Sequence, residues 1–347
     1  MATRNDVAKK ACVSGATVSR VFNNPDSVSQ STRDKVIQAA KELNYHPNII
    51  ASNFTKGISG NIGVVVPKIP NVRIFSVYYF AELLNGIGEC LSEQGYNLVL
   101  FYHEMGNFHK LTGGDYTNYF TGGKVDGCIL LGTYYNDSAL INLKKTHHKF
   151  CLINNYIKNT DISFIDVDNV NGSIIAVNHL INLGHKKIAF LNGPNSYINS
   201  IDRLKGYKLA LESNDISFDE SLIFEGNYGR KSGYYAAKRM LEINNRPSSV
   251  FVGNDRMAAG LVQGFSEEGV KVPEDISVLG YDDSDIATLI TPQLTTMHVS
   301  FYELGKKCAS EFVKYIKGDK NVFGIYMKPE LIIRNSTAMN HISEPSL

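Results

Sequence analysis

The sequence lacks the features that mark exported, membrane-embedded and disulfide-stabilised proteins. Its first residues, Met-Ala-Thr-Arg-Asn-Asp, contain no apolar signal core, and no apolar run approaches the length of a membrane span. The cysteines are few for 347 residues, odd in number and free of any Cys-x-x-Cys motif. We therefore expect reduced thiols within the core of a cytoplasmic protein that has no membrane partner. The five cysteines are Cys12, Cys90, Cys128, Cys151 and Cys308.

Motifs for catalysis and metal binding are missing as well. Gly86-x-Gly88 lacks the third glycine of a dinucleotide-binding loop and the strand that should precede it, and no Walker A string occurs. The adjacent His147 and His148 have no further ligands at metal-binding spacing. We expect no enzyme activity, no metal and no cofactor. An α/β sugar-metabolising enzyme is kept as an alternative, because doubly wound folds host many enzymes.

Charge is divided unevenly along a chain whose formal net charge is +1. Residues 1–60 carry eight Lys and Arg against four acids, a net of +4, whereas the remainder carries a net of −3. A basic head on a mildly acidic body fits a protein that contacts phosphates at one end. The length and the hydrophobic content of 43% predict two or three domains.

Residues 3–24 have the pattern of two short helices joined by a tight turn. Thr3 and Ser14 are suitable N-caps for the two helices. In the second helix Thr17, Val18, Val21 and Phe22 form an apolar side, and the opposite side is small, polar and basic. Such a face lets a helix lie against base edges while an arginine binds a guanine. The pattern predicts a helix-turn-helix, with a third helix from Ser31 to Asn44 capped by Ser29.

Particular residue strings sharpen this prediction. Asp6-Val7-Ala8, Thr17-Val18-Ser19-Arg20-Val21 and Leu43-Asn44-Tyr45-x-Pro47-Asn48 follow one another in order. With them, residues 1–47 resemble the DNA-binding headpiece of the LacI/GalR family of bacterial transcription regulators. The resemblance implies base and phosphate contacts by twelve residues. These are Thr3, Ser14, Gly15, Ala16, Thr17, Ser19, Arg20, Asn23, Tyr45, Asn48, Ala51 and Phe54.

Residues 48–60 have the composition of a linker, because their helix propensity is mediocre and the segment is short. In the resembling family this segment is a hinge helix that folds on operator DNA and wedges a leucine into the minor groove. Here Phe54 stands at the leucine position and Ser52 at a position where arginine is common. An aromatic side chain can also unstack a base step. The alternative is that Phe54 is a packed residue between domains.

From residue 61 onward, buried strands alternate with amphipathic helices in two successive sets. This order predicts two doubly wound, parallel-sheet subdomains with a ligand between them at the carboxyl ends of the strands. Asp202-Arg-Leu-x-Gly206-Tyr207, Gly253-Asn-Asp255 and Gly280-Tyr-Asp-Asp283 resemble the periplasmic-binding-protein-like effector domain of the same family. The resemblance implies three crossings between the subdomains. The expected ranges are 61–162 with 298–324 for the first subdomain, and 163–297 with 325–340 for the second.

A sugar pocket needs donors and acceptors for hydroxyls and an aromatic face for the ring. The resemblance implies that Arg203 begins a helix at the cleft and clamps ligand oxygens, the alternative being a pair with Asp202. Asn254 and Asp282 end strands, with helix capping as their alternative, and Tyr228 either stacks on ligand or packs at the rim. The remaining candidates could equally be core or structural residues. The full set is Tyr79, Phe80, Asn154, Asp168, Arg203, Tyr228, Asn254, Asp282 and Phe301.

The predicted fold is therefore an N-terminal all-α helix-turn-helix headpiece followed by an α/β periplasmic-binding-protein-like domain of two subdomains. The resemblance implies a homodimeric repressor of a carbohydrate-utilisation operon. Its partners would be pseudo-palindromic double-stranded operator DNA and a small effector, either a sugar or a sugar phosphate. A solute-binding protein without operator specificity is the other alternative. The loop at residues 68–78 is longer than the family's usual turn and is expected to remodel one pocket wall.

Overall fold

The structure is a computed structural model that describes residues 2–46, 57–69, 72–104, 114–244 and 246–340. The chain divides into two compact units, Met1–Gly60 and Asn61–Leu347. The hinge residues singled out above, Asn48, Ala51, Ser52 and Phe54, lie outside the described residues. Within the described ranges, no helix is long and apolar enough to span a membrane.

The first unit contains three helices around a small apolar core. They are α1 (Arg4–Lys10), α2 (Gly15–Asn23) and α3 (Gln30–Glu42), so that α3 begins one residue earlier and ends two residues earlier than predicted. Val7, Val18 and Val36, one from each helix, are fully buried. Lys10 and Glu42 form an exposed ion pair between α1 and α3 with an N–O distance of 2.7 Å. The core therefore supplies most of the stability, because exposed ion pairs contribute little.

The second unit contains two six-stranded sheets. The first sheet has the strand order β11-β5-β4-β3-β1-β2, and each neighbouring pair is parallel. Its strands are β1 (Asn61–Lys68), β2 (Asn97–Glu104), β3 (Gly127–Leu131), β4 (Phe150–Ile153), β5 (Ser163–Val167) and β11 (Gly324–Met327).

The second sheet has the order β12-β10-β9-β8-β6-β7 and is parallel except at its edge strand β12, which runs antiparallel to β10. Its strands are β6 (Ile188–Asn192), β7 (Ile223–Glu225), β8 (Ser249–Val252), β9 (Ser277–Asp282), β10 (Thr295–His298) and β12 (Glu330–Ile332). The predicted class, two doubly wound parallel sheets, is confirmed.

Helices cover the faces of both sheets, and the long ones pack in pairs. The first subdomain has α4 (Tyr78–Glu93), α5 (Ser138–Lys144) and α11 (Phe301–Lys317), with α4 packed on α11. The second has α6 (Asn169–Asn182), α7 (Ile198–Glu212), α8 (Arg230–Leu241), α9 (Asp255–Glu267) and α10 (Ile286–Leu289), with α6 on α7 and α8 on α9.

The predicted limits of the subdomains need correction at two points. Residues 163–167 were assigned to the second subdomain, but they form β5, which pairs with β4 and β11 in the first sheet. Residues 325–327, also assigned to the second, belong to β11 in the first sheet. The chain crosses three times as predicted, between β5 and α6, β10 and α11, and β11 and β12. The two misassigned strands, β5 and β11, are short and largely apolar, so their composition did not indicate which sheet they would join.

One glycine of α4 allows close helix packing in the first subdomain. A Cβ on Gly86 would lie 2.0 Å from the carbonyl oxygen of Tyr302, so this glycine lets α4 approach the backbone of α11.

All five cysteines are free, and four are buried as expected. The expectation was wrong for Cys12, which is exposed and lies at positive φ in the turn between α1 and α2.

Candidate functional site

Capping fixes the two helices of the basic unit. Thr3 and Asp6 form a capping box: Asp6 N–H donates to the Thr3 hydroxyl oxygen, and Thr3 N–H donates to the Asp6 carboxylate at 2.8 Å. At the second helix, Thr17 N–H donates to the Ser14 hydroxyl oxygen at 3.1 Å. Cys12, with φ of 56°, turns the chain between the helices. This is the geometry of a helix-turn-helix.

Helix α2 has one buried and one exposed side. Val18 and Val21 are buried, whereas Ala16, Arg20 and Asn23 are exposed. Gly15, Thr17 and Ser19 are half-buried at its edges. The Arg20 guanidinium makes no hydrogen bond or ion pair with any described residue. Helix α2 therefore presents a small, basic face of the kind that fits a major groove.

Tyr45, a predicted contact residue, and Arg33, an arginine of α3, have partners within this unit. The Tyr45 ring lies 6.1 Å from the Phe22 ring, centroid to centroid, and both rings pack on the core. Arg33 donates to the carbonyl oxygen of Pro25 and pairs with Asp26, so that it fastens the turn after α2. Asn48, Ala51 and Phe54 lie outside the described residues. The predicted surface thus has α2 at its centre and Thr3 and Tyr45 as structural supports at its border.

Within the second unit, the predicted effector residues gather where strands end. Asn154 directly follows β4, Asp168 follows β5, and Asn254 follows the last residue of β8 by two positions. Asp282 is the last residue of β9. Because the carboxyl ends of parallel strands meet at one edge, these polar side chains come to the crevice between the subdomains, as the fold predicts.

Arg203 is the central cation of this crevice. It is buried at 3% exposure, and its Nε donates to Asn169 Oδ1 at 2.9 Å while Nη1 donates to the carbonyl oxygen of Gly253. The guanidinium stacks over the ring of Tyr281. Helix α7 begins at Ile198, not at Arg203 as predicted, which places Arg203 in its second turn. These bonds hold the guanidinium plane in one orientation.

The alternative pairing of Arg203 with Asp202 is not what the structure shows. Asp202 instead accepts hydrogen bonds from the Tyr156 hydroxyl at 2.9 and 3.1 Å. Tyr156 belongs to the first subdomain and Asp202 to α7, so this bond joins the two subdomains. Burial raises the pKa of Asp202, and the Tyr156 hydrogen bond opposes that rise.

Asn254 has the capping role that was its alternative. Its Oδ1 accepts from Met257 N–H at 2.9 Å, and its Nδ2 donates to the carbonyl oxygen of Tyr228 at 3.2 Å. Asp168 caps α6 in the same way, accepting from Asn171 N–H at 3.1 Å. Both residues border the crevice, but their side chains are committed to the protein.

Aromatic side chains cover the first-subdomain side. Tyr79 meets Phe301 edge to face at 5.1 Å between centroids and Phe80 at 4.7 Å. Phe80 and Phe301 are buried in the main core, which is the alternative stated for them, whereas Tyr79 is half-buried. Asn154 lies beside Tyr79 at positive φ, and its Oδ1 is a buried acceptor that has no partner among the described residues.

Tyr228 is held at the opposite side of the crevice. Its hydroxyl lies 2.5 Å from Ser200 Oγ and donates to Asn199 Oδ1 at 3.1 Å, both on α7. A Cβ on Gly193 would lie 2.0 Å from the Tyr228 ring, so the glycine makes room for this side chain. Tyr228 therefore fastens the loop before α8 to α7, and its ring is half-buried.

Buried acids set the electrostatics of the crevice. Burial raises the pKa of Asp282 well above its usual range, although the charge of Arg203 opposes the rise. Burial also raises the pKa of Asp255 to about 7, against hydrogen bonds from Thr296 and Ser284. The pKa of Tyr78 rises to about 12 through burial and the nearby charges of Glu82, Asp283 and Asp282.

Sequence reasoning missed several residues of the crevice. Tyr78 occupies the first turn of α4. The apolar pattern of the sequence predicts that this helix begins at Ala81, three residues later. Tyr197 is the N-cap residue of α7, and its ring lies 5.6 Å from that of Tyr134 and 6.4 Å from that of Tyr228. Both predicted helix starts fell too late because neither helix has a Ser, Thr, Asp or Asn at its N-cap.

Together, a basic helix-turn-helix unit and a two-subdomain α/β unit with a polar crevice define a class of ligand-responsive DNA-binding regulators. The family model for bacterial regulatory proteins of the lacI family matches residues 3–48, and the model for the periplasmic binding protein-like domain matches residues 177–337. Catabolite control protein A of Priestia megaterium is 33% identical, with 96% of this chain and 98% of that protein covered. The chain belongs to the LacI family and is a DNA-binding transcriptional regulator.

Other similarities agree with this assignment. The HTH-type transcriptional repressor PurR of Vibrio atlanticus is 33% identical over 97% of this chain and 98% of that protein. A structure of the lac repressor dimer bound to operator and the anti-inducer ONPF has a TM-score of 0.83 at 28% identity, covering 97% of this chain and 99% of that one. A complex of the transcriptional regulator CelR with cellobiose has a TM-score of 0.74 at 30% identity, covering 97% and 100%.

Proposed function

We propose that this regulator is a cytoplasmic, homodimeric repressor of a carbohydrate-utilisation operon, controlled by a small sugar-type effector and without enzyme activity. The observation that carries the proposal is the presence in one chain of the exposed Ala16–Arg20 face and the oriented Arg203 guanidinium. The exposed face reads the DNA sequence, and the Arg203 guanidinium recognises the effector.

The DNA arm of the proposal assigns base readout to α2. Arg20 binds a guanine bidentately, and Ala16, one turn earlier, offers a methyl contact to a thymine. Ser14, Gly15, Thr17 and Ser19 bring the start of the helix close to the DNA. A two-fold dimer places two such helices in successive major grooves, which requires a pseudo-palindromic site. The repressor dimer on operator that this chain resembles supports that arrangement.

The effector arm assigns recognition to the crevice of the second unit. Arg203 and Asp282 bind hydroxyls, and Tyr79 with Tyr228 flanks the ring. Asn154 Oδ1, which has no partner among the described residues, accepts a hydrogen bond from a further hydroxyl. The cellobiose complex of a related regulator supports a carbohydrate as ligand. Asp168, Asn254, Phe80 and Phe301 shape the crevice through caps and packing.

The two arms are coupled through the crossing segments. Closing the crevice around a ligand changes the relative placement of the two sheets, and the first sheet begins at Asn61, directly after the linker to the headpiece. Effector and operator then influence each other by the same factor, whichever sign that factor has.

Selection from a randomised palindromic DNA library by the full-length protein, at fixed salt, tests the proposal. The expected result is an enriched palindrome whose binding changes when one sugar of a panel is added. Arg20→Ala serves as the matched variant and should lose the preference at one base position of each half-site. If no sequence is enriched at any salt concentration, the operator-binding function is wrong and a solute-binding role replaces it.

A further inference from the structure

An arginine of α1 lies against the start of α2. Arg4 is the first residue of α1, and its Nη1 donates to Ser19 Oγ on α2 at 3.4 Å, although the two residues are 15 positions apart in the sequence. Arg4 is exposed, and it forms no ion pair with any carboxylate of the described residues. Its guanidinium therefore belongs to the exposed surface of α2.

The missing side chain of Gly15 makes room for this arginine. A Cβ on Gly15 would lie 3.3 Å from Arg4 Nε and 3.7 Å from Arg4 Cζ. The first distance is shorter than an ordinary van der Waals contact, so a larger residue at position 15 would displace the guanidinium. Gly15 and Ser19 lie one turn apart on the same side of α2. Arg4 thus takes the place that a side chain at position 15 would otherwise fill.

The adjacent row of α2 carries the other arginine. Ala16 and Arg20 follow Gly15 and Ser19 by one position each, so the two pairs form neighbouring rows along the helix. Short side chains at the start of both rows allow this helix to approach base edges closely. The exposed face therefore presents two guanidinium groups, Arg20 from α2 itself and Arg4 from α1.

Arg4 has the unfavourable sign of charge for its position in α1. The amino end of a helix carries a partial positive charge, so a cation in the first turn lowers helix stability. Asp6 in that turn and Lys9 and Lys10 in the last turn have the favourable signs. The bond from Arg4 to Ser19 is long and exposed, and contributes little in return. The position of Arg4 fits a contact with another molecule better than a stabilising role.

We infer that Arg4 is a second base-reading residue of the headpiece, which binds a guanine at a base position different from the one that Arg20 reads. The inference rests on the DNA arm of the proposed function. A guanidinium can donate to O6 and N7 of one guanine at the same time, and these acceptors mark guanine in the major groove. On binding, Arg4 exchanges one long hydrogen bond for two to the base, so little is lost within the protein.

Selection from a randomised palindromic DNA library by the full-length protein, at fixed salt, tests the inference with three variants. Arg4→Ala removes both the guanidinium and its charge. Arg4→Lys keeps the charge but cannot make the bidentate contact with guanine. Lys41→Ala is the matched control, because it removes one positive charge from an exposed position in the last turn of α3.

Arg4→Ala and Arg4→Lys are both expected to lose the preference for guanine at one position of each half-site. The parent should bind its selected palindrome at least about tenfold more tightly than a palindrome substituted at that position, whereas both variants should bind the two nearly equally. Lys41→Ala should keep every base preference. Arg4→Ala should unfold at or slightly above the temperature of the parent, a result that a mainly structural role of Arg4 would not give.

The inference is overturned if Arg4→Ala weakens binding equally on all sequences, nonspecific DNA included, because Arg4 would then contact phosphate. Full retention of the guanine preference by either variant, or loss of the same position as in Arg20→Ala, would also overturn it. Arg20→Ala in the same selections separates these results from failure of the proposed function. If Arg20→Ala loses a position while both Arg4 variants match the parent, α2 reads DNA without Arg4. If the parent enriches no palindrome, base reading by both arginines is wrong.

Discussion

The guanidinium carbon of Arg203 lies 3.9 Å from the centroid of the Tyr281 ring, inside the second subdomain. Tyr281 lies in β9, whose next and last residue is Asp282, and Arg203 lies in the second turn of α7. The stack therefore joins the helix and the strand that carry Arg203 and Asp282, the two ionisable candidates of the crevice. It fixes the guanidinium by a cation–π contact as well as by the bonds to Asn169 and Gly253.

Arg203→Lys is expected to weaken effector binding by at least about tenfold while the protein remains folded. Lysine keeps the charge but cannot make the two directed bonds or the planar stack on Tyr281. Calorimetry with the effector measures the loss, and thermal unfolding checks the fold. Arg230→Lys, at an exposed arginine whose Nη1 contacts Gln263, is the control that should bind normally. Equal affinities for the Arg203 variant and the parent would refute the role of Arg203.

Arg20→Ala should cost about 1–3 kcal/mol of operator binding at one base position. The exposed guanidinium has no partner among the described residues, so its removal costs no intramolecular bond. Affinities for operators substituted at each position are compared between variant and parent. A uniform loss on all sequences, nonspecific DNA included, would show that Arg20 contacts phosphate instead.

Ser14→Ala should destabilise the headpiece by about 1 kcal/mol, because the Thr17 N–H loses its acceptor. Ser29 is also an N-cap residue, but its side chain makes no capping bond to the backbone. Ser29→Ala is therefore expected to cost less. Chemical denaturation, monitored by amide hydrogen exchange in the headpiece, measures the change in unfolding free energy for both variants. If the two variants lose the same stability, the capping geometry is not the cause.

Gly86→Ala and Gly88→Ala should have opposite effects although they lie two residues apart in α4. A methyl group on Gly86 meets the backbone of α11 at Tyr302, and overpacking of this kind costs about 1–3 kcal/mol. At Gly88 a Cβ meets nothing closer than Leu98 Cδ1 at 3.7 Å, so alanine gains up to about 1 kcal/mol of helix propensity. Thermal unfolding of both variants checks the signs. A stable Gly86 variant would contradict the close packing of the two helices.

The buried ring of His185 is expected to lower the stability of the folded protein in acid. The ring is 3% exposed, lies between Ser248 and Ser277, and contacts the carbonyl oxygen of Ala338. Burial lowers the pKa of His185, so the unfolded chain binds a proton more readily than the folded one. This contribution to stability is present above about pH 6.5 and is lost as the pH falls below it. In His185→Gln, the plot of unfolding free energy against pH between 5 and 7 should be flatter, and an unchanged slope would exclude the effect.

Much of the fold follows from local sequence signals. Ser14 and Thr3 predicted the helix starts of the headpiece because side-chain capping is a local interaction. The starts of α4 and α7 were placed too late because Val77 and Tyr197 carry no capping signal. β5 and β11 were assigned to the wrong subdomain because they pair with each other across more than 150 residues, and no local signal marks the nearer pairing of β5 with β4. The hydrogen bond from Tyr135 N–H to the carbonyl oxygen of Ser196 has no local signature for the same reason.

The site was predicted at the level of which strand ends carry polar residues. The hydrogen-bond partners of each side chain were not fully predicted. Capping was an open alternative for Asn254, which caps α9 and also donates to the distant carbonyl oxygen of Tyr228, and Asp202 binds Tyr156, which lies 46 residues away in the sequence. The family resemblance predicted which sequence positions line the crevice. The orientation of each side chain follows from hydrogen bonds and packing that only the three-dimensional structure shows.

Reciprocal linkage between effector and operator is the direct test of allosteric control by the crevice. Calorimetry gives the effector Kd of the free protein and of the protein saturated with its selected palindrome, and a separate titration gives the operator Kd with and without saturating effector. Both affinities are expected to change by the same factor and in the same direction. An effector that binds with equal affinity to the free protein and to the operator complex would contradict allosteric control by this crevice.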